Sequence, residues 1–186
     1  MIDIVKNLEE LNTLVIKNGG VIPFSYHNGE FYFLFGREAR DSRTDDRSLW
    51  GDFGGKIKNE KENNLEGIVR EFWEGSNGLF GTYEGIKNYI VSNIEKLLVI
   101  NSTEYEGIVI FLPMEYDKKY ERIFHTGNVL YKHVLDTKKE IQKARSRGLL
   151  EKDLIQWYTI SEILKLKKKF RKCNSEIIDF MKDTFN

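Results

Sequence analysis

The segment from Gly54 to Gly78 constrains the fold more than any other part of the chain. It reads GGKIKNEKENNLEGIVREFWEGSNG, a glycine pair, a short loop and a carboxylate-rich helix. Four apolar side chains recur at the spacing of one helix face: Leu65, Ile68, Val69 and Phe72. Asn63 or Asn64 can cap this helix, which we predict to end near Glu74. The glycine pair lets the preceding backbone approach other groups closely.

The helix places two carboxylates together. At about 100° per residue, Glu71 and Glu74 lie about 60° apart, on one side of the helix. Hard cations such as Mg²⁺ prefer oxygen ligands and keep coordination positions for water and substrate phosphates. The pair is therefore a candidate metal-binding face, to which the carbonyl group of Gly54 can add a ligand.

A second group of charges on the helix predicts a structural clamp. Arg70 lies one turn from Glu66 and can pair with it, and Glu62 at the loop–helix junction can also reach the guanidinium. An ordinary surface helix would carry glutamates too. Such a helix has no need of a glycine pair at this distance, so the combined pattern favours a functional site.

Composition limits the class of protein. The 186 residues are 40% hydrophobic, enough for a core, and predict a single domain. Charged residues make up 31% but balance to a net charge of +0, which argues against a globally basic nucleic-acid binder. A lone Cys173 excludes an internal disulfide and cannot build a zinc site alone. No apolar run approaches ~18 residues and the acidic start does not resemble a signal peptide, so we expect no membrane partner and a cytoplasmic location.

Periodicity and turn signals predict a mixed α/β fold, of the α/β (α+β) class. Strands are predicted over 21–25, 31–36, 96–100, 107–113 and 154–159. Helices are predicted over 3–17, 63–74, 83–94, 138–147 and 161–184, the last capped by Ser161 and broken near 167–172; a strand is an alternative over 83–94. Interleaved hairpins and crossovers predict a mixed central sheet with helices on both faces, an α/β/α sandwich. Residues 1–186 form one domain in this interpretation, with an N-terminal helix within 1–18 and a C-terminal helical extension over 166–186.

The helix and the loop before it resemble the signature of the Nudix hydrolases, G-x5-E-x7-R-E-U-x-E-E-x-G-U, where U is bulky and apolar. The residues from Glu62 to Glu74 fit it without a gap. WGDFGGK over 50–56 and FLFGRE over 33–38 resemble the segments that commonly lead into the signature, and Glu151 resembles a late-loop glutamate of several members. The resemblance covers about residues 20–165 and implies a Nudix-like sandwich.

Three departures from the signature stand out. The loop between Gly55 and Glu62 holds six residues instead of five, and Asn77 occupies the final glycine position. Gly75 replaces the second glutamate of the pair. Position 75 lies about 40° from Glu71, on the metal face, whereas Glu66 lies about 140° away and cannot substitute. We therefore expect weaker metal binding, one ion fewer, and reduced or lost activity.

The resemblance implies hydrolysis of a nucleoside diphosphate linked to another moiety, with Mg²⁺ or Mn²⁺ as cofactor. The implied metal ligands are Glu71, Glu74 and the Gly54 carbonyl, oriented by Arg70 and Glu62. Glu151 is a candidate base or further ligand, which makes Glu71, Glu74 and Glu151 the catalytic candidates. Lys56 and Arg37 are candidates for binding substrate phosphates.

Two other functions remain open. The first is removal of an mRNA cap or of a 5′ diphosphate from RNA, since WGDFGGK and RGLLEKDLIQW resemble Nudix proteins of large DNA viruses and the basic stretches 138–147 and 165–172 could hold an RNA backbone. The second is a catalytically weakened protein that binds or senses nucleotides, which Gly75 favours. Aromatic residues that could stack a base are Phe24, Tyr26, Trp50, Phe53 and Phe80. The three histidines, His27, His125 and His133, show no paired spacing.

Overall fold

The computed structural model describes residues 1–39, 45–58, 60–135, 137–145 and 148–185. Its strands are β1 (Ile2–Ile4), β2 (Asn18–His27), β3 (Glu30–Glu38), β4 (Trp50–Gly51), β5 (Phe53–Lys56), β6 (Leu98–Ser102), β7 (Gly107–Pro113) and β8 (Lys152–Thr159). Its helices are α1 (Leu8–Thr13), α2 (Asn64–Gly75), α3 (Tyr83–Asn93), α4 (Lys119–Val134), α5 (Lys138–Arg145), α6 (Ile160–Lys165) and α7 (Ser175–Phe185). Short 3₁₀ turns occur at Ile94–Lys96, Lys167–Lys169 and Lys172–Asn174.

The strands form one mixed sheet in the described ranges, in the order β1-β6-β7-β2-β3-β4. Strand β2 lies at its centre and pairs parallel with β7 and antiparallel with β3 and β5. Strand β8 pairs antiparallel with β3. Strand β5 ends beside the start of β2, and β8 starts beside the end of β3. The end of β5, the start of α2 and the start of β8 therefore lie at the same end of the strands, where the candidate site lies.

Alternating side chains of the strands feed two apolar cores, one on each face of the sheet. Val21 and Leu34 belong to the core beneath helices α1 to α4, whereas Ile22, Phe33 and Phe35 belong to the core beneath α6 and α7. The sheet thus lies between two helical layers. The mixed α/β/α sandwich expected from the sequence is confirmed.

The elements around the candidate site follow the sequence closely. Helix α2 is capped by Asn63, whose side chain accepts a hydrogen bond from the backbone of Glu66 while the Glu66 carboxylate accepts one from the Asn63 backbone. Its four predicted apolar positions are buried. The β2–β3 hairpin turns at Asn28 and Gly29, both at positive φ, as the residue types predict.

Three elements differ from expectation. The N-terminal helix is shorter than 3–17, because Ile2–Ile4 add a strand to the edge of β6 and the helix starts only at Leu8, capped by Asn7. Helix α6 is capped by Thr159 rather than Ser161, since the Thr159 hydroxyl accepts from the backbone of Glu162. Helix α4 has no counterpart in the sequence prediction.

The last two positions of the basic stretch 138–147 lie outside the described residues, as do one position of the loop between Gly55 and Glu62 and the last position of the extension 166–186. Within the described ranges, helix α5 covers Lys138–Arg145 of that stretch. No helix there has both the length and the apolar composition needed to cross a membrane.

Candidate functional site

The guanidinium group of Arg70 organises the site. Its Nε and Nη2 donate to the two carboxylate oxygens of Glu62 at 2.8 and 2.7 Å. Nη1 donates to Glu71 Oε1 at 2.6 Å and to Glu74 Oε2 at 3.0 Å, and Nη2 also donates to the carbonyl oxygen of Lys56 at 3.0 Å. One side chain thereby ties the end of β5, the loop after it and two turns of α2 together. These hydrogen bonds raise the pKa of Arg70 and lower that of Glu62.

The predicted clamp is correct for Glu62 and wrong for Glu66. Glu66 points away from Arg70 and instead accepts from Lys87 Nζ on α3 at 2.9 Å while it caps the helix. The predicted separation of roles is also wrong, because Arg70 binds both candidate metal ligands, Glu71 and Glu74, as well as Glu62. The sequence places four carboxylates within reach of Arg70, and their spacing does not show which of them it will bind: Glu62, Glu66, Glu71 and Glu74.

The two glycines of the pair, Gly54 and Gly55, leave room for side chains on opposite faces of the sheet. A Cβ at Gly55 would lie 2.3 Å from Glu71 Oε2, so only glycine lets this carboxylate rest against strand β5. A Cβ at Gly54 would instead lie 2.3 Å from both Asp52 Oδ2 and the Tyr105 hydroxyl, in the opposite layer. Gly55 is therefore the residue that makes room for the candidate metal ligand, whereas a role for the Gly54 carbonyl stays a prediction.

Glu151 is placed beside the helix carboxylates, as the sequence suggested. Burial raises its pKa to about 7, and the nearby charges of Glu71, Glu38 and Glu74 act in the same direction. Gly148, which precedes Glu151 by three residues, lies against Glu74, because a Cβ at Gly148 would lie 2.3 Å from Glu74 Oε2. Glu71 and Glu74 of α2 and Glu151, which directly precedes β8, thus lie in one partly buried region.

Lys152 is a residue of the site that the sequence reasoning missed. Its side chain is only 3% exposed and its Nζ donates to Glu38 Oε1 at 2.5 Å. A Cβ at Gly75 would lie 4.0 Å from Lys152 Cε and 3.6 Å from Phe53 Cδ1, which is ordinary contact. Position 75 therefore faces this buried lysine. The signal available in the sequence was a lysine directly after Glu151 at the start of a strand.

The two candidate phosphate-binding residues differ in their surroundings. The Lys56 side chain is exposed, while its backbone serves the Arg70 cluster. Arg37 is held by Asp153, with Nε to Oδ1 at 2.8 Å and Nη2 to Oδ2 at 3.0 Å, and its guanidinium carbon lies 5.8 Å from the centre of the Trp50 ring. A phosphate at Arg37 would have to compete with Asp153, so Lys56 is the more accessible cation.

Most of the candidate base-stacking aromatics belong to the core. Phe53 and Trp50 are buried, and Phe24 and Phe80 pack against the two cores. Tyr26 alone of the five is largely exposed, at 64%. Among the histidines, His27 stacks on Tyr116 with ring centres 4.7 Å apart, which gives it a structural contact.

The C-terminal segment is joined to the site by the ion pairs of Arg171, whose side chain is 18% exposed. Arg171 Nε lies 3.1 Å from Asp46 Oδ2. Its Nη1 lies 3.7 Å from Glu38 Oε1 and 4.0 Å from Oδ1 of the fully buried Asp52. Phe170 is buried beside Trp50. The basic stretch 165–172 is therefore partly structural, although its lysines 165, 168, 169 and 172 remain exposed.

The donor set suits a hard divalent cation chemically, with two glutamates on one helix face. Mg²⁺ is commonly held by one or two carboxylates together with substrate phosphates. Over the described ranges, however, no group of three or more His, Cys, Asp or Glu side chains is arranged to hold a metal ion by itself. Glu71 and Glu74 are the residues that could contribute ligands to such an ion.

No protein-family model matches the chain. An uncharacterized protein of Acanthamoeba polyphaga mimivirus is 45% identical over 64 residues, and this match spans 34% of the chain and only 20% of that relative. Among solved structures, the Nudix domain of Shewanella oneidensis NrtR complexed with ADP ribose is similar, with a TM-score of 0.48, 11% identity, and coverage of 94% of this chain and 90% of that one. The whole of Shewanella oneidensis NrtR gives a TM-score of 0.44 at 11% identity, over 91% of this chain and 63% of that one.

Proposed function

We propose that this chain is a Nudix-type hydrolase that uses Mg²⁺ or Mn²⁺ to cleave the phosphoanhydride bond of a nucleoside diphosphate linked to another moiety. The observation that carries the proposal is the contact of Arg70 with Glu62, Glu71 and Glu74, beside a glycine that admits Glu71 to the strand. A surface helix needs no such arrangement, whereas a site that must hold carboxylates in fixed positions does.

Each residue of the cluster has a distinct role in this proposal. Glu71 and Glu74 would hold the divalent ion, which would neutralise diphosphate charge and acidify a water molecule. Arg70, anchored by Glu62, keeps both carboxylates oriented. Lys56, whose exposed side chain follows Gly55 on β5, would offer positive charge to a phosphate. Glu151 accepts the proton of the attacking water, because a carboxyl group with a pKa of about 7 is well matched to proton transfer near neutral pH.

A substrate panel with a matched pair of variants tests the proposal. Turnover of nucleoside triphosphates, ADP-ribose, dinucleoside polyphosphates and capped RNA is measured with Mg²⁺, with Mn²⁺ and with EDTA. Glu71→Gln should abolish metal-dependent turnover, whereas Glu66→Gln, a change of the same kind on the same helix but bonded to Lys87, should retain it. Undiminished turnover by Glu71→Gln would remove the assignment. Tight nucleotide binding without turnover by the unaltered chain would favour the binding protein instead.

A second candidate, action on the 5′ end of RNA, is favoured by one observation. Arg171, within the basic stretch 165–172, contacts Glu38, and Glu38 in turn holds Lys152 at the site. The exposed lysines of that stretch therefore lie on a segment that adjoins the carboxylates. Lys168→Glu combined with Lys169→Glu should slow release of a cap from RNA and flatten its salt dependence, while turnover of free nucleotides is unchanged. Equal effects on both substrates would contradict an RNA role.

A further inference from the structure

Gly36 makes room for the side chain of Lys152, and Gly75 borders it. A Cβ at Gly36 would lie 2.8 Å from Lys152 Cδ and 3.1 Å from both Cγ and Cε, so the lysine crosses β3 where only glycine leaves room. The Gly75 Cβ position lies 4.0 Å from Lys152 Cε. Gly36 and Gly75 thus border the buried aliphatic part of the lysine, and its ammonium group meets Glu38.

The charge of this lysine acts on Glu151, the carboxylate beside the candidate metal ligands. Lys152 interacts electrostatically with Glu151, which in turn interacts with Glu71 and Glu74. Because the lysine is 3% exposed, water screens its charge poorly. The ammonium group, already paired with Glu38, occupies the place next to position 75 where a further divalent ion would have to bind.

Position 75 connects the lysine to the departure from the Nudix signature. The Cβ of a glutamate there would fit without a clash, 3.6 Å from Phe53 and 4.0 Å from Lys152 Cε. Two further bonds extend from that Cβ to the carboxylate, which brings it within reach of the ammonium group. A glutamate at 75 would thus find a cation already in place.

We infer that Lys152 is a built-in cation of the site, which takes the place of an ion that a carboxylate at position 75 would otherwise help to bind, and so limits the site to a single divalent ion. This inference rests on the proposed function for the ion itself. The pairing of position 75 with Lys152 rests on the contacts of the position-75 Cβ and does not depend on a bound ion. Restoring the signature by Gly75→Glu should therefore fail to add an ion as long as Lys152 is present.

Counting bound Mn²⁺ by electron paramagnetic resonance, without substrate, tests the inference. The unaltered chain and Gly75→Glu should each bind one ion, with dissociation constants within about threefold of each other. The background Glu38→Gln/Lys152→Met removes both members of the buried pair, so that neither charge is left unpaired. Gly75→Glu in that background should bind a second ion. A second ion in Gly75→Glu alone, or no second ion in the triple variant, would overturn the inference.

Urea unfolding of the same four proteins in EDTA gives a readout that is independent of metal. Gly75→Glu should shift the unfolding midpoint to higher urea when Lys152 is present, and by clearly less in the Glu38→Gln/Lys152→Met background. Equal shifts in both backgrounds would refute the pairing. If the unaltered chain bound no Mn²⁺ at all, the proposed function would fail, whereas this comparison would still decide the role of Lys152.

Discussion

Arg70 holds Glu62 across a separation of eight residues through two nearly parallel hydrogen bonds of 2.8 and 2.7 Å. Both side chains are mostly buried, with 16% and 12% of their surfaces exposed. The backbone amide of Lys58 also donates to Glu62, at 2.8 Å. Glu62, Arg70 and the Lys58 backbone therefore form one unit at the start of α2, and Arg70 also holds Glu71 and Glu74.

Arg70→Lys should loosen that unit. A lysine cannot reproduce the planar, two-pronged contact with Glu62, so carboxylates that are now paired would be left partly unpaired. We expect the free energy of unfolding to fall by about 2 kcal/mol, below the range for fully buried pairs because these side chains are partly exposed. Urea denaturation measures it. Lys87→Met, which removes the more exposed Glu66 pair, should cost at most about 0.5 kcal/mol; equal costs for both variants would contradict the central role of Arg70.

Gly55→Ala should impair the site while leaving the fold intact. The new Cβ would lie 2.3 Å from Glu71 Oε2, so the carboxylate must move away from the strand. We expect metal-dependent turnover to fall by about tenfold or more, as for other displacements of about 1 Å at a reacting centre. Gly127→Ala is a suitable control, because no atom lies within 4 Å of its added Cβ. Full activity in Gly55→Ala would show that Glu71 does not need its present position.

The sequence predicted the parts of the site that obey helical periodicity. The cap at Asn63, the buried face of α2 and the proximity of Arg70 to Glu62 follow from spacing along one element. So does the adjacency of Glu71 and Glu74, since neighbours on a helix surface are fixed by its pitch. The mixed sheet followed from the alternation of hairpins and crossovers.

The features that the sequence did not predict depend on contacts between distant segments. Lys152 pairs with Glu38 because β8 lies beside β3, and Glu66 accepts a hydrogen bond from Lys87 because α3 packs beside α2. Helix α4 was missed because its apolar residues are split between two faces: Phe124 is buried while Ile123 and Leu130 are exposed. Helical spacing alone cannot supply such partners.

Tyr105→Phe should destabilise the side of the sheet opposite Glu71 and Glu74. The fully buried Asp52 accepts from the Tyr105 hydroxyl at 2.6 Å and from Asn174 Nδ2 at 3.0 Å. Burial raises the pKa of Tyr105 well above its usual value, so its hydroxyl stays a donor. Losing this donor should cost about 1–3 kcal/mol of unfolding free energy. Thermal unfolding measures it against Tyr89→Phe, an exposed tyrosine whose loss should be nearly neutral; a neutral Tyr105→Phe would contradict the network.

Glu151 should make the stability of the metal-free protein depend on pH. Its pKa is raised from an ordinary 4.5 to about 7 in the folded state, so folding favours the protonated carboxyl. The favourable contribution is complete below about pH 4.5 and is lost as the pH rises through about 7, where the buried group must ionise. Melting temperatures in EDTA from pH 5 to 8 should therefore fall more steeply for the unaltered chain than for Glu151→Gln, which cannot ionise. Parallel profiles would show that Glu151 titrates normally, and Glu115→Gln serves as the control for a carboxylate away from the cluster.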